Sequence, residues 1–90
     1  MRLEWDEQKS ETNKSKHGID FNAATVLWDD INRIEIQSSF SDEDRNILIG
    51  KIDKKLWAAV FTLRKNAYRI ISVRRARKKE VMLYEKSTTG

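Results

Sequence analysis

Ninety residues, 39% of them hydrophobic and 36% charged, carry a formal net charge of +4. A chain of this size buries only roughly 60–65% of its unfolded surface, so residues 1–90 are expected to form one domain around one small core. There is no cysteine, which excludes disulfides and thiolate metal sites. No apolar run approaches the roughly 20 residues that span a bilayer. The opening MRLEWDEQKS lacks the apolar segment of an export signal. A cytoplasmic protein with no membrane association is the expectation.

Arg2 to Trp5 alternates polar and apolar residues, which suits a short edge strand. Asp6 can cap a helix that carries Glu7 in its first turn and runs to His17, with Gly18 taking the left-handed position after it. Asp6 through Gly18 contains no apolar residue, so this helix is expected to be mostly solvated or to face a polar partner. Lys9, Asn13, Lys16 and His17 share one of its faces by spacing. Asp20 is a second cap, and Phe21, Ala24, Val26, Leu27 and Trp28 give a short helix that covers a sheet and ends before Asp29-Asp30.

Strands are predicted at Arg33–Ser38, Arg45–Ile52, Leu56–Leu63 and Tyr68–Val73, all rich in β-branched or aromatic residues. Their connections, Ser41 to Asp44, Asp53 to Lys55 and Arg64 to Ala67, are too short for crossovers and predict an antiparallel meander. On the last strand, strict alternation sends Arg69, Ile71 and Val73 to one face and Ile70, Ser72 and Arg74 to the other. A helix from about Arg77 to Lys86 closes the chain. The expected fold class is α+β: a small twisted antiparallel sheet of about four strands, with N-terminal helices and a C-terminal helix.

From Lys54 onward, basic residues far outnumber the acids Glu80 and Glu85, which makes this the electropositive end. If the strands pair as hairpins, Arg64, Arg69, Arg74 and Arg75 gather with Arg45, and a guanidinium binds phosphate through a planar two-pronged contact. Strand-end arginines also cover apolar surface with their stems and pair with carboxylates, so both readings stand. Arg77-Lys78-Lys79 cannot all point one way from a helix.

His17, the sole histidine, is a candidate proton carrier for a metal-free ribonuclease, and equally a cation at a helix end. Tyr84, four residues after Glu80, either shares its helix face or packs on the sheet. Asp29-Asp30 and Asp42-Glu43-Asp44 read as solvated turn residues rather than metal ligands. The three glycines are far apart and there is no GxSxG, which excludes a phosphate loop and acyl transfer. Three functions fit: a ribonuclease, a non-catalytic nucleic-acid-binding module, and a partner-binding subunit.

Trp5-Asp6-Glu7 with Lys9, Asn13, Lys16-His17-Gly18-Ile19 with Phe21 and Ala24, and Asp29-Asp30 form an ordered series. It continues through Arg45, Ile49-Gly50, Thr62 with Arg64, and Arg69-Ile70-Ile71-Ser72-Val73-Arg74-Arg75-Ala76 with Glu80 and Tyr84. In this order the residues resemble the BrnT family of toxins from type II toxin–antitoxin systems. The resemblance implies a RelE-like fold and a ribonuclease that suppresses translation; with the cation cluster and His17 it gives the expectation of a metal-independent, cofactor-free endoribonuclease that attacks RNA through its 2′-hydroxyl. It also implies neutralisation by a BrnA-type antitoxin, with operator DNA reached only through that antitoxin. Carried over by position, it puts His17, Arg64, Arg74, Glu80 and Tyr84 at the scissile phosphate as catalytic residues, and Lys9, Lys16, Arg45, Arg69 and Arg75 around it as RNA-binding residues. The chain departs from the family pattern at Arg77, where Thr is common and would cap the last helix, and at Lys14, where an apolar residue is common.

Overall fold

The computed structural model describes residues 2–38 and 45–89, and the expected α+β class holds. Among the described residues are the strands β1 (Arg2–Glu4), β2 (Ile34–Ser38), β3 (Arg45–Ile52), β4 (Lys55–Arg64) and β5 (Ala67–Arg75). The α-helices are α1 (Glu7–His17), α2 (Phe21–Ala24), which runs on into a 3₁₀ turn at Thr25–Asp29, and α3 (Lys78–Thr89). The strands form one sheet in the order β1-β5-β4-β3-β2. Strands β2 to β5 pair antiparallel, as the short connections require. The sheet has one more strand than expected and is mixed, because β1 lies parallel beside β5. The pairing can be parallel because residues 5–66 lie between the two strands, far more chain than the dozen or more residues a parallel connection needs. The Ser41 to Asp44 connection and its acidic run lie outside the described residues.

Two tight hairpins set the register. Asp53 and Lys54 (φ 49° and 70°) and Lys65 and Asn66 (φ 44° and 69°) all have positive φ. Positive φ at both central residues is what a two-residue type I′ turn demands, and this turn matches the twist of the strands it joins. Ile52 therefore faces Lys55, and Arg64 faces Ala67.

Strict alternation fails on β5. Val60 pairs with Ser72 but Phe61 pairs with Ile70, so Ile71 is the extra residue of a β-bulge. Beyond it the facing of the strand is reversed. Ile70 and Val73 both enter the same core, instead of Ile71 with Val73. The bulge puts Ser72 and Arg74 on the face that already carries Arg69, through the cross-strand series Thr62–Arg69, Val60–Ser72 and Ala58–Arg74.

The main core lies between the sheet and the segment from Ile19 to Trp28: Phe21, Ala24, Leu27 and Trp28 pack on Leu48, Ala59, Phe61, Ile70 and Val73. Gly50 permits close approach here, since a Cβ on it would meet the Leu27 side chain at 3.1 Å and the Leu27 carbonyl at 3.2 Å. The opposite face is covered at one end by α3, where Tyr84 packs with Ile49 and Ala58.

Helix α1 is bounded as expected: Asp6 accepts from the Gln8 and Lys9 N–H groups at 2.8 and 3.3 Å, and Gly18 has φ 80°. Its docking is polar. Ser10 and Asn13 are buried, and Ser10 Oγ accepts the Phe21 N–H at 2.8 Å. Asn13 Nδ2 donates to the carbonyls of Ile19 and Val73, both at 2.8 Å, and its Oδ1 accepts the Val73 N–H at 3.0 Å. The amide pairs with β5 much as a neighbouring strand would, just past the point where β1 ends.

Helix α3 starts at Lys78 even though Arg77 offers no capping hydroxyl. Glu80 supplies the reciprocal half of a capping box by accepting the Arg77 N–H at 2.7 Å. Against the expectation of an uncapped start, one orphan donor is satisfied.

Candidate nucleic-acid interface

The register above fixes where the cations go. Arg45 faces Thr62, Thr62 faces Arg69, and Arg64 lies two residues beyond Thr62 on β4. These side chains share the sheet face at the end that α3 leaves uncovered. Lys9 joins them from the first half of α1, and together they line a cleft of about 560 Å³ with Thr62 and Ile71 between them. Several like charges around one hollow focus a positive potential and draw in anions. Arg69 also has a partner: its Nη1 donates to Glu4 Oε2 at 2.9 Å, with both side chains about one-third exposed (31% and 32%). Arg2 approaches the other Glu4 oxygen at 4.0 Å.

The remaining candidates lie elsewhere. Ala58, the cross-strand neighbour of Arg74, is six residues from Arg64 along β4, roughly 20 Å of extended strand. There Arg74 makes a two-pronged pair with Glu80, Nη1 to Oε1 at 2.7 Å and Nη2 to Oε2 at 2.9 Å. The hydrogen bond from Arg74 holds the Glu80 carboxyl below its ordinary value of 4.5 against the opposing effect of burial, helped by the Arg77 N–H. The same bond raises Arg74.

Tyr84 donates its phenolic hydroxyl to Asp30 Oδ2 at 2.7 Å. Burial first, and then this bond and the Asp30 charge, push the phenol up to about 12. Burial also pushes the Asp30 carboxyl up, but the bonds from Tyr84 and from the Asn32 and Lys51 N–H groups outweigh it and leave Asp30 below its ordinary value. Asp30 is thus a structural acceptor rather than a solvated turn residue, and Tyr84 is packed on the sheet. Arg75 stacks over Trp57, 5.4 Å from the ring centre. Lys16 and His17 are exposed at the far end of α1, with His17 eight residues or roughly 12 Å along the axis beyond Lys9.

The Arg74–Glu80 pair fixes α3 to the sheet, and its pH dependence follows from the direction of the shift. The unfolded chain takes up the Glu80 proton at higher pH than the folded chain does. The pair's contribution is therefore present above the ordinary carboxylate range and is lost as pH falls through the folded value. Thermal unfolding followed from about pH 6 to about pH 3 should show a falling midpoint. Glu80→Gln should flatten part of that fall, leaving the part due to Asp30, and an unchanged slope would contradict the assignment.

Of the arginines expected near one end or face of the sheet, Arg45, Arg64 and Arg69 lie together at one end, Arg74 shares their face at the other end, and Arg75 stacks over Trp57. Glu4, the ion-pair partner of Arg69, was not among the candidates. The available signal was the alternation in Arg2-Leu3-Glu4, which puts Glu4 and Arg2 on one side of an edge strand, but its partner strand was not legible.

No curated protein matches the chain. A family model does, the one described as the ribonuclease toxin, BrnT, of type II toxin–antitoxin systems, and it covers residues 5–80. That span holds Lys9, Arg45, Arg64 and Arg69 as well as the Arg74–Glu80 pair, and it stops before Tyr84. With most of its length matched, from the residue before the α1 cap into the first turn of α3, the chain belongs to the BrnT family of ribonuclease toxins.

Proposed function

We propose that this BrnT-family toxin is an endoribonuclease that binds the RNA backbone in the Lys9–Arg45–Arg64–Arg69 cleft. Cleavage proceeds by metal-independent attack of the 2′-hydroxyl on the adjacent phosphorus. The observation that carries this reading is the convergence of those cations, three from the sheet and one from α1, around one cleft. A phosphorane gathers negative charge on its non-bridging oxygens, and fixed cations around it stabilise that charge more than they stabilise the ground state. A cation-lined cleft is the wrong donor set for a hard divalent metal, which needs oxygen ligands. Among the described residues, no three His, Asp or Glu side chains come together.

In this reading Arg74, Glu80 and Tyr84 hold α3 and do not touch RNA, while Lys16, His17 and Arg75 contribute only longer-range attraction. Residues 1–90 act as one RelE-like domain in the cytoplasm, and a BrnA-type antitoxin neutralises it and links it to operator DNA. The purified protein should cut RNA in EDTA and leave a 2′-deoxy version of the same substrate intact. Cleavage that requires added magnesium, or that proceeds equally on the deoxy substrate, would contradict the mechanism.

One observation favours a second reading, a non-catalytic RNA-binding module: His17, Glu80 and Tyr84, the sequence's proton-carrying candidates, all lie outside the cleft. In that case RNA binds with a steep salt dependence and is not cut.

A further inference from the structure

The cleft needs a group that removes the 2′-hydroxyl proton, and the cations lining it are poor acceptors. Arginine stays protonated throughout, and lysine does so unless it is strongly desolvated. Glu80 and Asp30, two of the carboxylates named from the sequence, are already committed. Glu80 is held by both nitrogens of Arg74 and by the Arg77 N–H. Asp30 takes the Tyr84 hydroxyl and the Lys51 N–H.

Glu4 is different. It is a one-third exposed carboxylate on β1, bonded at 2.9 Å to Nη1 of Arg69, a residue of the cleft wall. A guanidinium presents five N–H donors in a planar fork, so one bond to Glu4 leaves another edge of Arg69 for a phosphate. A phosphodiester on that edge becomes a neighbour of the carboxylate across a single guanidinium, within reach of the adjacent ribose. The charged groups that meet Glu4 are Arg69 from β5 and Arg2 from its own strand.

We propose that Glu4 is the general base of the reaction, which rests on the reading of the cleft given above. Its carboxylate takes the proton of the 2′-hydroxyl as that oxygen bonds to phosphorus. The bond from phosphorus to the 5′-oxygen breaks, and the leaving oxygen takes a proton from water. The products are a 2′,3′-cyclic phosphate and a 5′-hydroxyl, with no redox change and no further reactant. Glu4 lies one residue ahead of the span matched by the family model, so the match assigns it no role.

The test compares wild type, Glu4→Gln and Glu4→Asp in single-turnover cleavage of RNA across a pH series. Affinity is measured in parallel for the same RNA with one 2′-deoxy residue at the cut site. Glu4→Gln should lose roughly 10²-fold or more in the cleavage rate, bind the uncleavable RNA as well as wild type, and lose the acid limb of the pH–rate profile. Glu4→Asp should keep that limb. If Glu4→Gln cleaves like wild type, keeps the acid limb, or loses affinity in step with rate, Glu4 serves only to hold Arg69 and the proposal fails. If instead Arg64→Ala leaves both binding and cleavage untouched, the cleft itself is wrong and this assignment falls with it.

Discussion

Asn13→Ala should lower the unfolding free energy by about 3 kcal/mol. The reason is the set of partners left behind. In the folded protein the Asn13 amide satisfies the N–H and carbonyl of Val73 and the carbonyl of Ile19, and all three residues are buried. A buried polar group without a partner costs about 1–3 kcal/mol, more than a made hydrogen bond contributes. Alanine removes the whole carboxamide and answers none of them. For a chain this small, the thermal midpoint should drop by roughly 15 °C. Asn13→Asp should fare no better, because a carboxylate accepts the Val73 N–H but faces two carbonyls with no donor. A denaturant titration checks both variants, and a change under about 0.5 kcal/mol for Asn13→Ala would mean that α1 is held by something else. The loss is large because a domain of this kind has only about 5–15 kcal/mol of stability in all and α1 has no apolar side chain with which to dock.

The second large effect concerns activity. The double variant Arg45→Ala, Arg64→Ala should fold normally, since neither residue belongs to the core clusters, yet lose on the order of 10²–10³-fold or more in RNA cleavage. That is the size of effect seen when a donor aimed at developing charge is removed. Thermal unfolding run beside the cleavage assay separates the two causes, and a folded variant that keeps full activity would take both residues out of the site.

Much of the fold was legible because its signals are local. The Asp6 and Asp20 caps, the Gly18 stop and the β-branched strands each depend on residues close in sequence, and each stands where it was expected. The parts that were not legible depend on long-range pairing. Alternation along β5 was read correctly up to Ile70, and the bulge at Ile71 then reversed it, because a bulge is set by the partner strand and leaves no mark in composition. The polar α1 suggested a solvated helix, whereas two of its polar side chains are buried against backbone sixty and eleven residues away.

The candidate site divides in the same way. Arg45, Arg64 and Arg69 were recognisable as candidate phosphate ligands by residue type, and their meeting point follows from hairpin register. Arg74 and Arg75 look the same in sequence, but one is taken by a carboxylate and the other by an indole ring. Glu4 owes its place to a parallel pairing with β5 that three residues of sequence cannot announce.

The cleft, rather than overall positive charge, is the heart of the account, and one comparison isolates it. Arg64→Ala and Arg75→Ala remove the same charge from two ends of the same sheet, one inside the cleft and one over Trp57. Measured side by side in single-turnover RNA cleavage, Arg64→Ala should be slowed on the order of 10²-fold or more, while Arg75→Ala stays within a few-fold of wild type. Equal losses in the two variants would contradict a phosphate site in that cleft.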